Sequence, residues 1–246
     1  MTAHPVPPDP DSPHPAASSL PSDSPLPSDS PIATDSPLPS DLPLPPVDTL
    51  LVVDVQTAFV TGEGAVPDAA RLVDRTAGLI ARARAAGALV VHLQNDGPPG
   101  AEDEPQTPGW ELHHRVEPGP TEFVIRKPYD DGFEETTLGA VLDGHGSRAV
   151  AVCGVMSEMC VRATARTALD RGYRVVVPYD GHATQDCPAV PGVADAVPAA
   201  VVSRVAAYSL GSDAEVTDPA AAVSFTAPSR TIAPFPPGNP VRGSAA

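Results

Sequence analysis

Short, mostly apolar β-branched runs recur along the middle of the chain, and they narrow the choice of fold more than any other feature. They are Thr49–Val55 (TLLVVDV), Ala88–Leu93 (ALVVHL), Glu122–Arg126, Arg148–Cys153 (RAVAVC) and Tyr173–Val177. A strand that is apolar at consecutive positions must be covered on both faces, which is the mark of parallel strands joined by helical crossovers. Helical spacing lies between the runs. Pro67–Ala86 carries Leu72, Val73, Leu79, Ile80 and Ala83 on one stripe and stops at Gly87. Further helices are expected over Glu134–Leu142 ending at Gly144, from Ser157 as N-cap through Arg171 to Gly172, and over Val193–Leu210 with Pro198 in its first turns. Ala214–Thr217 adds a short sixth strand. The expected class is α/β: a doubly wound, mostly parallel six-stranded sheet with helices on both faces.

Composition sets the domain limits. Residues 1–47 are mostly Pro, Ser, Asp and Ala, with near-repeats such as Ser22-Asp23-Ser24-Pro25-Leu26-Pro27, six Asp and no Lys or Arg. So few side chains there suit a core that a disordered, partly polyproline II leader is expected. Residues 218–246 carry little signal, which leaves one domain over 48–217. The chain has 15 Lys+Arg against 31 Asp+Glu, a net charge of −16, and such a balance gives no footing for nucleic acid or an anionic membrane surface. No run approaches the roughly 18 apolar residues of a membrane span, and the first residues lack a secretory pattern, so a cytoplasmic protein is expected. Three widely spaced cysteines exclude a disulfide framework and a four-thiolate zinc site.

Doubly wound sheets bind ligands beyond the carboxyl ends of their strands, so the residues there are the candidates. Cys160 falls in the first turn of a helix that follows a strand and the Gly154 turn. The amides and dipole of that turn favour an anion, so a lowered thiol pKa is expected. A buried small hydrophobe is the ordinary reading of a cysteine, and it suits Cys153 inside its strand. Lys127 is the only lysine in the chain and ends the third strand. A compact ammonium beside Asp54 and Cys160 would hold the carboxylate, stabilise a thiolate and relay a proton.

With those residues in place, the chain resembles the isochorismatase-like cysteine hydrolase superfamily. The likeness rests on Leu51-Val52-Val53-Asp54-Val55-Gln56, on Lys127 with Phe133 and Thr137-Leu138, and on Cys153-Gly154-Val155-Met156-Ser157-Glu158-Met159-Cys160-Val161 with Thr164-Ala165, Ala168 and Gly172-Tyr173. It covers about 48–217. The resemblance implies a Rossmann-like sheet, an Asp54–Lys127–Cys160 triad, a cis Val155–Met156 peptide and an oxyanion hole made by the Met156 and Cys160 amides. It implies acyl transfer through a thioester, with Asp54 as acid and base, and it implies a homo-oligomer.

Departures bear on substrate. The metal-binding pattern of the superfamily's nicotinamidases is incomplete at His92-Leu93-Gln94-Asn95-Asp96, and the adjacent side chains of His113-His114 diverge, so neither a metal nor another cofactor is expected. Thr107–Leu112 (TPGWEL), with Met156–Cys160 and Asp180-Gly181-His182-Ala183-Thr184, resembles an amidohydrolase branch that includes enzymes of the streptothricin hydrolase type. That likeness implies hydrolysis of an amide or cyclic amide of a small molecule. Candidate substrate-binding residues are Gln56, Phe59, Trp110, Tyr129, Phe133 and Glu158, with ordinary packing the alternative for the aromatics. Two other functions stay open: an isochorismatase-type ether hydrolase, which would want more Arg near the site, and a catalytically silent binding domain. The lack of Gly-x-Gly-x-x-Gly after any strand argues against a dinucleotide enzyme, and Gly154–Glu158 lacks the second Gly of a serine nucleophile elbow.

Overall fold

The computed structural model describes residues 44–216 and 218–230. Six parallel strands form one sheet in the order β3-β2-β1-β4-β5-β6: β1 Thr49–Val53, β2 Leu89–Asn95, β3 Glu122–Lys127, β4 Ala149–Gly154, β5 Arg174–Val176 and β6 Ala214–Glu215. The helices are α1 Thr57–Val60, α2 Ala69–Ala85, α3 Leu138–His145, α4 Arg162–Asp170 and α5 Ala199–Tyr208.

Side-chain alternation explains why the strand runs are apolar throughout. Leu50, Val52, Val90, Ala151 and Cys153 face the layer of α2, where they meet Leu72, Leu79, Ile80 and Ala83. Leu51, Val53, Leu89, Val91, Leu93, Val150 and Val152 face the other layer, with Leu138, Val141 and Leu142 of α3 and Ala165 and Ala168 of α4. Both faces are therefore covered, as parallel strands require. Each fully buried Leu or Val contributes about 1.5–3 kcal/mol.

The central strands are in register, so that Val53 lies beside Leu93 of β2 and Gly154 of β4. The strand order reverses between β1 and β4, which puts the topological switch point at their carboxyl ends. Two local devices shape that point. Asp54 leaves β1 with a φ of +49°, a left-handed conformation that Asp tolerates better than most residues. Gly154 has a φ of +122°, and a Cβ there would collide with the carbonyl oxygen of Val53. Only glycine lets β4 end this close to β1.

Several boundaries differ from expectation for visible reasons. Helix α3 begins at Leu138 rather than Glu134, because Glu135 sits at a φ of +51° and Thr136 Oγ1 accepts the Leu138 N–H at 3.2 Å. It runs past Gly144 to Gly146, whose φ of +68° closes it. Helix α5 starts only after Pro198. Cys187 and Val197 pair across two 2.9 Å backbone bonds instead, and Asp186 Oδ1 accepts the Ala199 N–H at 2.7 Å. Within the described residues, 218–230 also joins the fold. Val47 pairs with the Ser224–Thr226 segment, and Ala220 and Val223 are buried against α2's layer. The leader reading falls mainly on residues outside those described.

Gly154→Ala is expected to lose at least about 3 kcal/mol of stability, since strain at a special backbone conformation and a clash with backbone combine. Urea unfolding followed by circular dichroism measures it, and a loss under about 1 kcal/mol would contradict this account of the switch point.

Candidate active site

The triad positions meet at the switch point. Lys127 Nζ lies 2.8 Å from Asp54 Oδ2 and 3.3 Å from Cys160 Sγ. It also donates to Asn95 Oδ1 at 3.2 Å and to the Tyr129 carbonyl at 3.1 Å. Lys127 is fully buried, Asp54 2% exposed and Cys160 8% exposed. Chemistry here begins from a desolvated ion pair touching a thiol.

Each side chain is delivered by its strand. Asp54 follows β1, Lys127 ends β3, and Asn95 lies beside Lys127 in the β2–β3 register. Cys160 rides on an irregular turn, Ser157–Val161, in which Val161 N–H donates to Met156 O at 3.2 Å, five residues back. Met159 is non-helical, and regular helix starts only at Arg162. Wide turns of this kind are frequent at functional sites. The Val155–Met156 peptide is cis, where the resemblance implied it.

Electrostatics corrects one expectation. The helix N-terminus was expected to lower the thiol pKa; burial, then the Asp54 charge, instead push Cys160 above its ordinary value, against the pull of Lys127. Burial likewise raises Asp54 to about 6, partly offset by Lys127. Burial would lower Lys127, but the Asp54 charge and hydrogen bond beside it outweigh that and raise it. At neutral pH the resting cluster is carboxylate, ammonium and thiol. Asp54 Oδ1 is buried and lacks a hydrogen-bond partner among the described residues, so it keeps acceptor capacity beside a thiol that donates to Asp130 Oδ1 at 3.5 Å. Cys153, raised to about 12 by burial, belongs to the opposite core layer, and Cys187 is exposed.

The candidate substrate-binding residues divide. Gln56 is fully buried, and its side chain serves backbone: Nε2 donates to the Asn95 and Trp110 carbonyls, and Oε1 accepts the Asn95 N–H at 2.8 Å. It positions Asn95, and through it Lys127. Phe59 packs on the α2 layer. Phe133 is core, stacked with Tyr173 and covered by the Arg171 guanidinium 4.6 Å from its ring centre. Trp110 Nε1 donates to Asp96 Oδ1 at 2.9 Å, and Arg126 lies 5.0 Å from the centre of its ring. Tyr129 is 43% exposed beside its Lys127-bound carbonyl. Glu158 is exposed and lines a hollow with Arg162, Cys187 and Val202, not with the triad. Ser157 makes no cap bond; its hydroxyl lies 2.7 Å from His182 Nδ1. Of the residues weighed for a metal, His92 meets Glu122 at 3.0 Å and Asp96 is taken by Arg126 and Trp110.

Three site residues escaped the sequence reading. Asp130, an exposed carboxylate, has Oδ1 3.5 Å from Cys160 Sγ. Asn95 and the buried Asp103 extend the polar chain, with Asn95 Nδ2 donating to Asp103 Oδ2 at 2.7 Å. Asn95 had one readable signal, a polar residue at the end of an apolar strand.

Comparison with known proteins gives the family and the fold. The isochorismatase domain family matches residues 48–190. A streptothricin hydrolase of Streptomyces noursei is 65% identical over 190 residues, covering 77% of this chain and 68% of the relative. A second from that organism is 63% identical, covering 75% and 73%. The crystal structure of an isochorismatase from Pseudomonas putida superimposes with a TM-score of 0.65 at 30% identity, covering 73% of this chain and 93% of that one. N-carbamoylsarcosine amidase from Thermoplasma acidophilum gives a TM-score of 0.53 at 30% identity, over 57% of this chain and 86% of that one.

Removing the Asp54 charge while keeping its shape tests the electrostatics. In Asp54→Asn the Cys160 thiol is expected to titrate lower than in the wild type, because the larger of the two carboxylate charges that oppose Lys127 at the sulfur is gone. Thiolate ultraviolet absorbance, taken as the difference from Cys160→Ala, reads it. An unchanged or higher midpoint would contradict the assignment.

Proposed function

The chain belongs to the isochorismatase family, and from that premise we propose that it is a cysteine-dependent amidohydrolase that opens an amide or cyclic amide of a small molecule through a Cys160 thioester. The observation that carries the reading is Lys127 Nζ, held between Asp54 at 2.8 Å and Cys160 at 3.3 Å in a buried site. Streptothricin is the first substrate to test, since two relatives above 60% identity are streptothricin hydrolases. The action of the Thermoplasma relative on an N-carbamoyl compound fits the same bond class.

In the proposed cycle Asp54 accepts the thiol proton as sulfur attacks the carbonyl carbon. The negative charge passes from carboxylate to sulfur beside the same ammonium, so no net charge is created in the buried site. The developing oxyanion takes the Met156 and Cys160 amides. Protonated Asp54 then gives its proton to the leaving nitrogen, the C–N bond breaks and a thioester remains. Asp54 next accepts a proton from water, the hydroxyl adds to the acyl carbon, and the thiolate leaves and is reprotonated.

A cytoplasmic place for this activity is part of the proposal, in keeping with the acidic composition, and no helix among the described residues is long and apolar enough to cross a membrane. A homo-oligomer is part of the proposal on the family resemblance alone.

Wild-type protein is expected to convert streptothricin to a product heavier by one water, with Cys160→Ala reducing turnover by about a thousandfold or more. An active Cys160→Ala would overturn the scheme. The sign of the pH dependence follows from Asp54. Below its pKa of about 6 the carboxylate is protonated and cannot accept the thiol proton, so kcat/KM is expected to fall on the acid side with a midpoint near 6. A flat profile from pH 5 to 7 would remove Asp54 as base.

A further inference from the structure

Asp130 touches the nucleophile but has no part in the acyl-transfer cycle. Its Oδ1 lies 3.5 Å from Cys160 Sγ and accepts the S–H. The side chain is exposed, yet the backbone that carries it is pinned on both sides. Before it, the Tyr129 carbonyl accepts from Lys127 Nζ at 3.1 Å. After it, Asp131 Oδ1 accepts the Phe133 N–H at 2.9 Å, Asp131 Oδ2 accepts the Thr167 hydroxyl at 2.6 Å, and Gly132 N–H donates to Thr164 Oγ1 at 2.9 Å. A Cβ on Gly132 would stand 2.5 Å from Leu93 Cδ1, so this loop is seated tightly against β2 and α4. The Asp130 carboxylate is therefore held beside the sulfur from the solvent side.

Its charge is uncompensated. Asp130 has no ion-pair partner among the described residues, and the bases nearest in the chain are occupied. Arg126 is taken by Asp96 at 2.7 Å, Lys127 by Asp54 at 2.8 Å, and Arg162 donates to the Ser209 hydroxyl at 2.7 Å. An unpaired carboxylate at this distance works against the chemistry, because sulfur must carry negative charge as it attacks. Burial and the Asp54 charge already hold the thiol pKa up, and Asp130 adds to them. That opposition is lifted when the bound substrate brings a positive charge to Asp130.

Resting on the hydrolase reading, we propose that Asp130 is a specificity-determining residue: it takes a protonated amine of the substrate in a charge-assisted hydrogen bond, so that the enzyme selects cationic amides. Distance limits where the amine sits. A nitrogen about 2.8 Å from Asp130 Oδ1 lies within about 6 Å of Sγ, and the scissile carbonyl carbon approaches the same sulfur to about 3–3.5 Å. The ammonium therefore belongs within a few bonds of the scissile carbonyl, as in a β-amino amide. A substrate with a carboxylate in that place meets a like charge and is rejected.

The probes are three methanethiosulfonates that form a disulfide with the same sulfur: the 2-aminoethyl, the 2-sulfonatoethyl and the uncharged methyl reagent. Rates at Cys160 in the full chain are read by peptide mass spectrometry and divided by the rates with 2-mercaptoethanol. Ratios between reagents cancel the thiolate fraction, which is common to all three. In the wild type the cationic reagent is expected to outpace the anionic one. Asp130→Asn is expected to lower that ratio about tenfold, about threefold against the methyl reagent for each sign of charge at this distance. Glu134→Gln, which removes an exposed carboxylate of the same loop, is expected to leave the ratio within about twofold. A wild type that does not prefer the cation, a change under about threefold in Asp130→Asn, or an equal change in Glu134→Gln would each overturn the role of Asp130. These outcomes need no turnover and leave Cys160 reactive, so they do not touch the hydrolase reading. A Cys160 inert to all three reagents would instead remove the nucleophile, and the hydrolase reading with it.

Discussion

A buried ion pair between Asp54 and Lys127 is the constraint on which the rest of the structure depends. Taking two charges out of water is costly, and their attraction offsets that cost only when the remaining hydrogen-bonding capacity is met. Lys127 meets it: the ammonium is shared among Asp54, Asn95 Oδ1, the Tyr129 carbonyl and the Cys160 sulfur. Asp54 does not, because Oδ1 stays open. That asymmetry leaves a desolvated base with one free acceptor next to a thiol. A pair assembled only for stability would be better replaced by apolar side chains, so its presence at a switch point reads as chemistry.

The fold serves this pair through backbone geometry. Parallel strands in register bring Asp54, Asn95 and Lys127 to one edge, and Gln56 ties β2's end to the Trp110 loop with its side-chain amide. Gly154 lets β4 finish against Val53, from which the irregular turn carries Cys160 back over the pair. The same turn is braced from behind by residues 181–183.

Much of this was legible in the residues themselves. Apolar runs with helical segments between them lead to a doubly wound sheet, and chemistry-bearing residues at strand ends lead to Asp54, Lys127 and Cys160. What was hidden depended on tertiary context. Apolar periodicity does not report that Pro198 would be an extended cap while Asp186 holds the Ala199 amide, nor that Glu135 would turn left-handed before α3. Proximity to a helix start predicted a lowered thiol pKa, but the depth of burial and the Asp54 charge reverse the sign. For the aromatic pocket candidates only packing separates the alternatives: Phe133 lies in the core, and Trp110 is tied to Asp96 in its loop. Asp130 lay unnoticed in the loop after β3, and its distance from the sulfur belongs to the fold alone.

The central claim is that Cys160, fed by Asp54, carries the acyl group. The most direct measurement is an acid quench of the protein during steady-state turnover of an amide substrate, followed by peptide mass spectrometry of all three cysteines. The account predicts a hydroxylamine-sensitive acyl adduct on the Cys160 peptide alone, absent from Asp54→Asn. Turnover with no adduct at any cysteine, or with an adduct on Cys187 instead, would contradict it.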